Sequence, residues 1–138
     1  MNRVYDRYLE AEVLNANPLK LVQLLYRGAT SAVREARQKL AEGDVRGRAG
    51  EINRAWRILQ ELMDSLDRDR GGEISRRLAA LYAYMQTRLV EANSRQADAP
   101  LQEVEKLLSS LGEAWDATVQ AAGFEPQSAR EPVALAVG

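Results

Sequence analysis

Neither cysteine nor histidine occurs among the 138 residues. Their absence removes disulfides, thiolate nucleophiles, imidazole acid–base chemistry and the usual ligands of zinc. A ferritin-like di-iron centre, which needs Glu-x-x-His on two helices, cannot be written either. Only one phenylalanine occurs, and the strict apolar/polar alternation of half-buried strands is missing. No apolar run approaches the ~18 residues of a membrane span. The start, MNRVYDRYLEAEV, lacks the apolar stretch that follows the charges of a secretory signal. A cytoplasmic protein without membrane insertion is expected.

No charge sign dominates. Nineteen basic and 20 acidic residues leave a net charge of −1, so no global field draws nucleic acid. The best basic doublet, Arg76 and Arg77, is offset by Asp67, Asp69 and Glu73. Glu61, Asp64, Glu91 and Glu103 fall outside the apolar stripes, which argues against converging buried carboxylates. With no strand for a phosphate loop to follow, the expectation is a protein without cofactor or metal, and not an enzyme.

What the sequence has in quantity is helical periodicity. NANPLKLV opens the first segment, with Asn17 as N-cap and Pro18 at the first helical position. Its inward series is Leu21, Leu24, Leu25, Ala29, Ala32, Val33, Ala36 and Leu40, and Gly43 is its C-cap. Asp44 caps the second, whose series is Ile52, Ala55, Leu59, Leu62, Met63 and Leu66. RGG at 70–72 is expected to break the chain, and the third helix to enter through Glu73 and Ile74. NSRQADAP ends that helix. The fourth then reads Leu101, Val104, Leu108, Leu111, Trp115 and Val119. Segments of about 20 to 25 residues, or roughly 30 to 37 Å, joined by short connections predict an all-α, antiparallel up-down four-helix bundle. The bundle is expected over residues 17–121, between an N-terminal segment (1–16) and a flexible tail (122–138) with Pro126 and Pro132.

Several apolar residues lie off these stripes. In LAALYAYMQTRLVEAN (78–93), Leu78, Leu81, Tyr82, Met85 and Leu89 recur at core spacing, but Tyr84 lies about 200° from Tyr82, near Arg77 and Arg88. Trp56 and Ile58 broaden the arc of the second helix. Tyr5, Tyr8, Leu9 and Val13 form one face of a helix too short to stand alone, an N-terminal lid over apolar surface. Each has a bland reading as core or seam filler. Together they point to grooves that receive helices of another chain.

ANPLKLVQLLYRGA, SLDRDRGGEISRRLAALYAYMQTRLVEAN and EVEKLLSSLGEAWDA resemble, in order and spacing, the FliS family of flagellar export chaperones. The resemblance covers about residues 5 to 120. It is carried most specifically by Pro18 with Leu21, Leu25-Tyr26-x-Gly28, Leu66-Asp67 through Gly71-Gly72-Glu73-Ile74, Leu81-Tyr82-x-Tyr84-Met85, Ala92-Asn93 and Trp115. It implies a cytosolic bundle that binds the disordered C-terminal segment of flagellin, prevents its polymerisation and delivers it to the export gate protein FlhA without a nucleotide. Candidate flagellin contacts are Tyr8, Leu21, Leu25, Tyr26, Trp56, Ile58, Ile74, Leu78, Tyr82, Tyr84, Met85 and Asn93. One departure is Arg27, where the family often carries aspartate. A free monomer or weak dimer is expected. The alternative is a structural homo-oligomer whose apolar flanks pair with a second copy.

Circular dichroism should show a predominantly helical spectrum, and substantial strand content would exclude the bundle. Chelators and added divalent metals should leave the melting temperature unchanged, because no ligand set is expected.

Overall fold

The structure, a computed structural model, describes residues 18–124. Four helices follow one another: α1 (Pro18–Glu42), α2 (Val45–Asp64), α3 (Arg68–Arg95) and α4 (Asp98–Phe124). No strand occurs among the described residues. The principal contacts join α1 to α2, α2 to α3, α3 to α4 and α4 back to α1. Connections of two or three residues allow only antiparallel neighbours. The result is the expected up-down-up-down four-helix bundle. The seams made by α1 are the most extensive, and α3 is the least tightly held helix.

The first turn follows the local chemistry read from the sequence. Gly43 takes a left-handed φ of +74°, which costs glycine little. Its N–H reaches the Leu40 carbonyl (3.2 Å) and that of Asp44 the Lys39 carbonyl (2.9 Å), the Schellman pattern that satisfies the last carbonyls of α1. Asp44 then caps α2, its Oδ1 accepting the Gly47 N–H at 2.9 Å. The third turn is closed by Gln96, at φ +52°, with the Ala97 N–H on the Ala92 carbonyl. Glutamine has no special preference for that conformation, so the sequence carried no signal for it. Pro18 begins α1 as expected, while Asn17 lies outside the described residues.

The second turn bears out the expected break and adds to it. Arg70-Gly71-Gly72 divides the helical path at Gly72, but a first helical stretch already precedes it. Asp67 Oδ1 accepts the Arg70 N–H at 3.0 Å and α3 starts at Arg68, ahead of Glu73. Gly72 (φ +54°, ψ −124°) interrupts the helix from within. Only glycine adopts that geometry cheaply, so the expected break survives as a kink.

The core series of α2 and α4 stand as read in the sequence, whereas those of α1 and α3 are rotated slightly. In α1 the buried series includes Leu19, Val22, Tyr26, Ala29, Val33 and Ala36, whereas Leu21, Leu24 and Leu40 are half-buried. In α3 it runs through Tyr82, Met85, Leu89 and Ala92, and Leu78 and Leu81 become half-buried flanks. The bulkiest aliphatics had drawn the sequence-based stripes toward one edge. Alanines at 29, 32, 36 and 55 are fully enclosed, and such small side chains allow α1 and α2 to approach closely.

Leu89 is 0% exposed, so Leu89→Ala should cost about 2–5 kcal/mol through lost burial and a residual cavity. Leu81→Ala, at the half-buried flank, should cost less than about 2 kcal/mol by urea unfolding. Equal losses would mean that the inward and flanking faces of α3 are misassigned.

Candidate functional site

The candidate residues divide by depth. Leu25, Tyr26, Tyr82 and Met85 are core residues, all 6% exposed or less. Although singled out as partner contacts, they face the interior in this structure. Tyr26 and Tyr82 share a hydroxyl–hydroxyl hydrogen bond, and Tyr26 also packs against Trp115 with ring centroids 6.3 Å apart. Burial pushes both phenols above their ordinary pKa, so they are neutral hydrogen-bonding groups at physiological pH. Asn93 is half-buried and its Oδ1 accepts from Arg48 Nε at 3.0 Å. That bond ties the start of α2 to the end of α3. Tyr5, Tyr8, Leu9 and Val13 lie outside the described residues.

The remaining candidates border the seams. Between α1 and α2, Gly28 allows Ile58 to approach, for a Cβ at 28 would lie 3.3 Å from Ile58 Cδ1. Leu21 lies two turns before Gly28 on the same side of α1. Both Leu21 and Ile58 are half-buried, packed on the core. On α2, the Gln86 amide of α3 donates to the Trp56 carbonyl (3.3 Å) and to Gln60 Oε1 (3.2 Å). Trp56, also half-buried, therefore belongs to a segment tied to α3.

The seam between α3 and α4 explains Tyr84. The residue is 44% exposed, but its hydroxyl donates to both oxygens of Glu103, at 2.8 and 2.9 Å. Arg88 Nε donates to the same carboxylate at 2.6 Å, and Arg88 also pairs with Glu91. Hydrogen bonds from Tyr84 and Arg88 hold the Glu103 carboxyl below its usual pKa, and the carboxylate in turn raises that of Tyr84. Tyr84 thus bridges two helices at the surface. Beyond this polar latch, helical spacing puts Leu81, Leu78 and Ile74 along α3 and Leu107 and Leu111 along α4, all half-buried.

Sequence reasoning missed Glu103, Leu107, Gln86 and Arg48. A Tyr84-Arg88 pair one turn apart was a signal that something acidic faced them. Nothing in the sequence distinguished Gln86 or Arg48 from solvated polar residues. Among the described residues, no group of three or more acidic side chains is gathered as a metal site. What the arrangement offers is strips of apolar surface between helices whose interior is already packed, with polar groups along the edges.

The chain also matches known proteins in sequence. The family model of flagellar protein FliS matches residues 1–122. The flagellar secretion chaperone FliS of Salmonella typhimurium is 39% identical over 118 residues, covering 85% of this chain and 87% of that protein. FliSB of Pseudomonas aeruginosa is 38% identical over 108 residues, covering 78% and 86%. FliS of Escherichia coli is 30% identical over 126 residues, covering 91% and 90%. The match spans the whole bundle, including the turns and seams described above, and on that basis the chain belongs to the flagellar protein FliS family.

Proposed function

We propose that this chain is a cytoplasmic chaperone of flagellar export. It captures the C-terminal segment of flagellin, keeps that segment from polymerising and delivers it to the export gate protein FlhA. The observation that carries the reading is the row of half-buried apolar side chains along the seams: Leu21 and Ile58 on one side, Ile74, Leu78 and Leu81 on another. Leu21, Ile58, Leu78 and Leu81 are packed on a closed core and retain accessible area, and Ile74 is half-buried. A disordered ligand loses ordering entropy when it binds, so it needs a long apolar surface to offset that loss. Several strips on one rigid bundle supply such a surface without opening the core.

In this reading the candidates have two jobs. Leu25, Tyr26, Tyr82, Met85 and Asn93 hold the helices in register. Leu21, Trp56, Ile58, Ile74, Leu78 and the ring of Tyr84 meet the ligand. A segment bound in this way has its polymerisation surface occupied, and no nucleotide is needed to release it. The N-terminal lid would rest on the same apolar strips through Tyr5, Tyr8, Leu9 and Val13, so lid and ligand would compete. Light scattering with and without a flagellin tail peptide should give a one-to-one heterocomplex. A stable homo-oligomer indifferent to the peptide would favour a structural role instead.

Two variants of Tyr84 separate ring from hydroxyl. Tyr84→Phe removes the bond to Glu103 and keeps the ring, so flagellin binding should change little. Tyr84→Ala should weaken binding by about 1 kcal/mol or more while costing less stability than Leu89→Ala. Equal binding by both variants and the parent would remove Tyr84 from the contact surface.

Deleting residues 1–16 should tighten flagellin binding in calorimetry. A lid closed about nine-tenths of the time corresponds to roughly tenfold, or ~1.4 kcal/mol. Weaker binding by the truncated chain would mean that Tyr5 and Tyr8 contact the ligand directly.

A further inference from the structure

A cleft of about 400 Å³ runs between α1 and α4, with Tyr26 and Leu108 among its lining residues. It is separate from the strips assigned above. Gly112 lines it from α4, and a Cβ there would lie 3.7 Å from the Tyr26 Cβ, an ordinary contact. Packing against Tyr26 therefore does not demand a glycine. Its effect is to leave the cleft open.

Two arginines overlook this space from α1. Arg27 and Arg34 are seven residues apart, two turns on one side of the helix and about 10 Å along its axis. Both side chains are 62% exposed. Arg27 approaches Asp116 only to 3.7 Å, too long for a hydrogen bond, and the same Asp116 oxygen already accepts from Gln23 at 2.6 Å. Arg34 uses its Nε on Glu105, whose other oxygen takes Arg37. Each guanidinium thus retains outward N–H donors in a fork suited to a carboxylate. Across the cleft, Glu113 and Asp116 give the α4 rim the opposite sign, and Glu35 sits beside Arg34 on the α1 rim.

We infer that the α1–α4 cleft seats a helical stretch of the bound flagellin segment whose α1-facing edge carries two carboxylates seven residues apart. The spacing follows from the partners: residues i and i+7 of a helix laid along α1 repeat at the same ~10 Å as Arg27 and Arg34. The side chain between them must be small or apolar to lie over Gly112. Arg27 and Arg34 then select the segment and fix its register, while the apolar strips supply most of the affinity. This inference rests on the flagellin reading proposed above.

The test uses the full chain and the purified C-terminal segment of flagellin from the same organism, by calorimetry at low and high salt. Arg27→Gln should weaken binding about threefold and Arg27→Glu about tenfold at low salt, with smaller losses at high salt. Arg34→Gln should resemble Arg27→Gln, and melting curves should show that all three variants remain folded. Replacing only the carboxylate matched to Arg27 by lysine should weaken binding to the parent chain and restore binding to Arg27→Glu. Parent binding with no loss in any variant would overturn the cleft assignment and leave the flagellin reading intact. A flagellin segment without an acidic pair at that spacing would also overturn it. Failure of the parent chain to bind the segment at all would remove both.

Discussion

The hydrogen bond between the hydroxyls of Tyr26 and Tyr82 joins α1 to α3 across the diagonal of the bundle. Helices on a diagonal are not neighbours, so only long side chains meet there. Two phenols supply the length, and each solves the other's difficulty. A hydroxyl in the core without a partner costs about 1–3 kcal/mol, whereas a pair satisfies both. The Trp115 ring packs on Tyr26 from α4, and its Nε1 donates to the Leu19 carbonyl at 2.9 Å. A single buried aromatic group thus locks three helices in one register. The apolar strips and the α1–α4 cleft keep their shape because this centre does not slide.

Polar contacts around it are distributed unevenly along α4. Arg37 holds Asp98 with two hydrogen bonds and Glu105 with a third, pinning the start of α4 to α1. Arg88 and Tyr84 hold Glu103 from the α3 side. An isolated exposed ion pair is worth little, but here neighbouring carboxylates are shared among several donors within two turns. Farther along, the α3–α4 seam relies on Leu81, Leu78 and Ile74 with Leu107 and Leu111, half-buried and without such bonds. One end of the bundle is fastened by charge, and the other leaves apolar area available.

The sequence disclosed features that depend on neighbouring residues better than features that depend on distant ones. Gly43 and Asp44 were legible because a left-handed C-cap and an N-cap are local requirements. The break at Gly72 was legible from its two glycines, but the helical turn ahead of it was not, since only Asp67 and its bond to Arg70 show that a helix has already begun. Stripe rotation was harder. Leu21, Leu78 and Leu81 look more apolar than Tyr26 or Tyr82, yet the tyrosines are inside because each finds the other's hydroxyl 56 residues away. The same long-range satisfaction hid Gln86 and Arg48, and with Arg48 the structural role of Asn93. Candidate-site residues were legible as a set and confused in role, because the sequence does not show which polar tip has a partner.

Depth separates those roles. A residue such as Met85, at 0% exposure, can reach a ligand only if the bundle opens, and opening would forfeit several kcal/mol of core packing. A half-buried residue such as Ile58 carries no such cost: Gly28 lets its inner side pack while its outer side stays available. In the proposed role, which requires a disordered segment to be held and later released, that arrangement is an advantage. With the core closed in the free chain, the proposed binding equilibrium would depend on the ligand's own ordering cost and on whatever else covers the strips. In that role occupancy would be altered by competition at the surface, without rearranging the core.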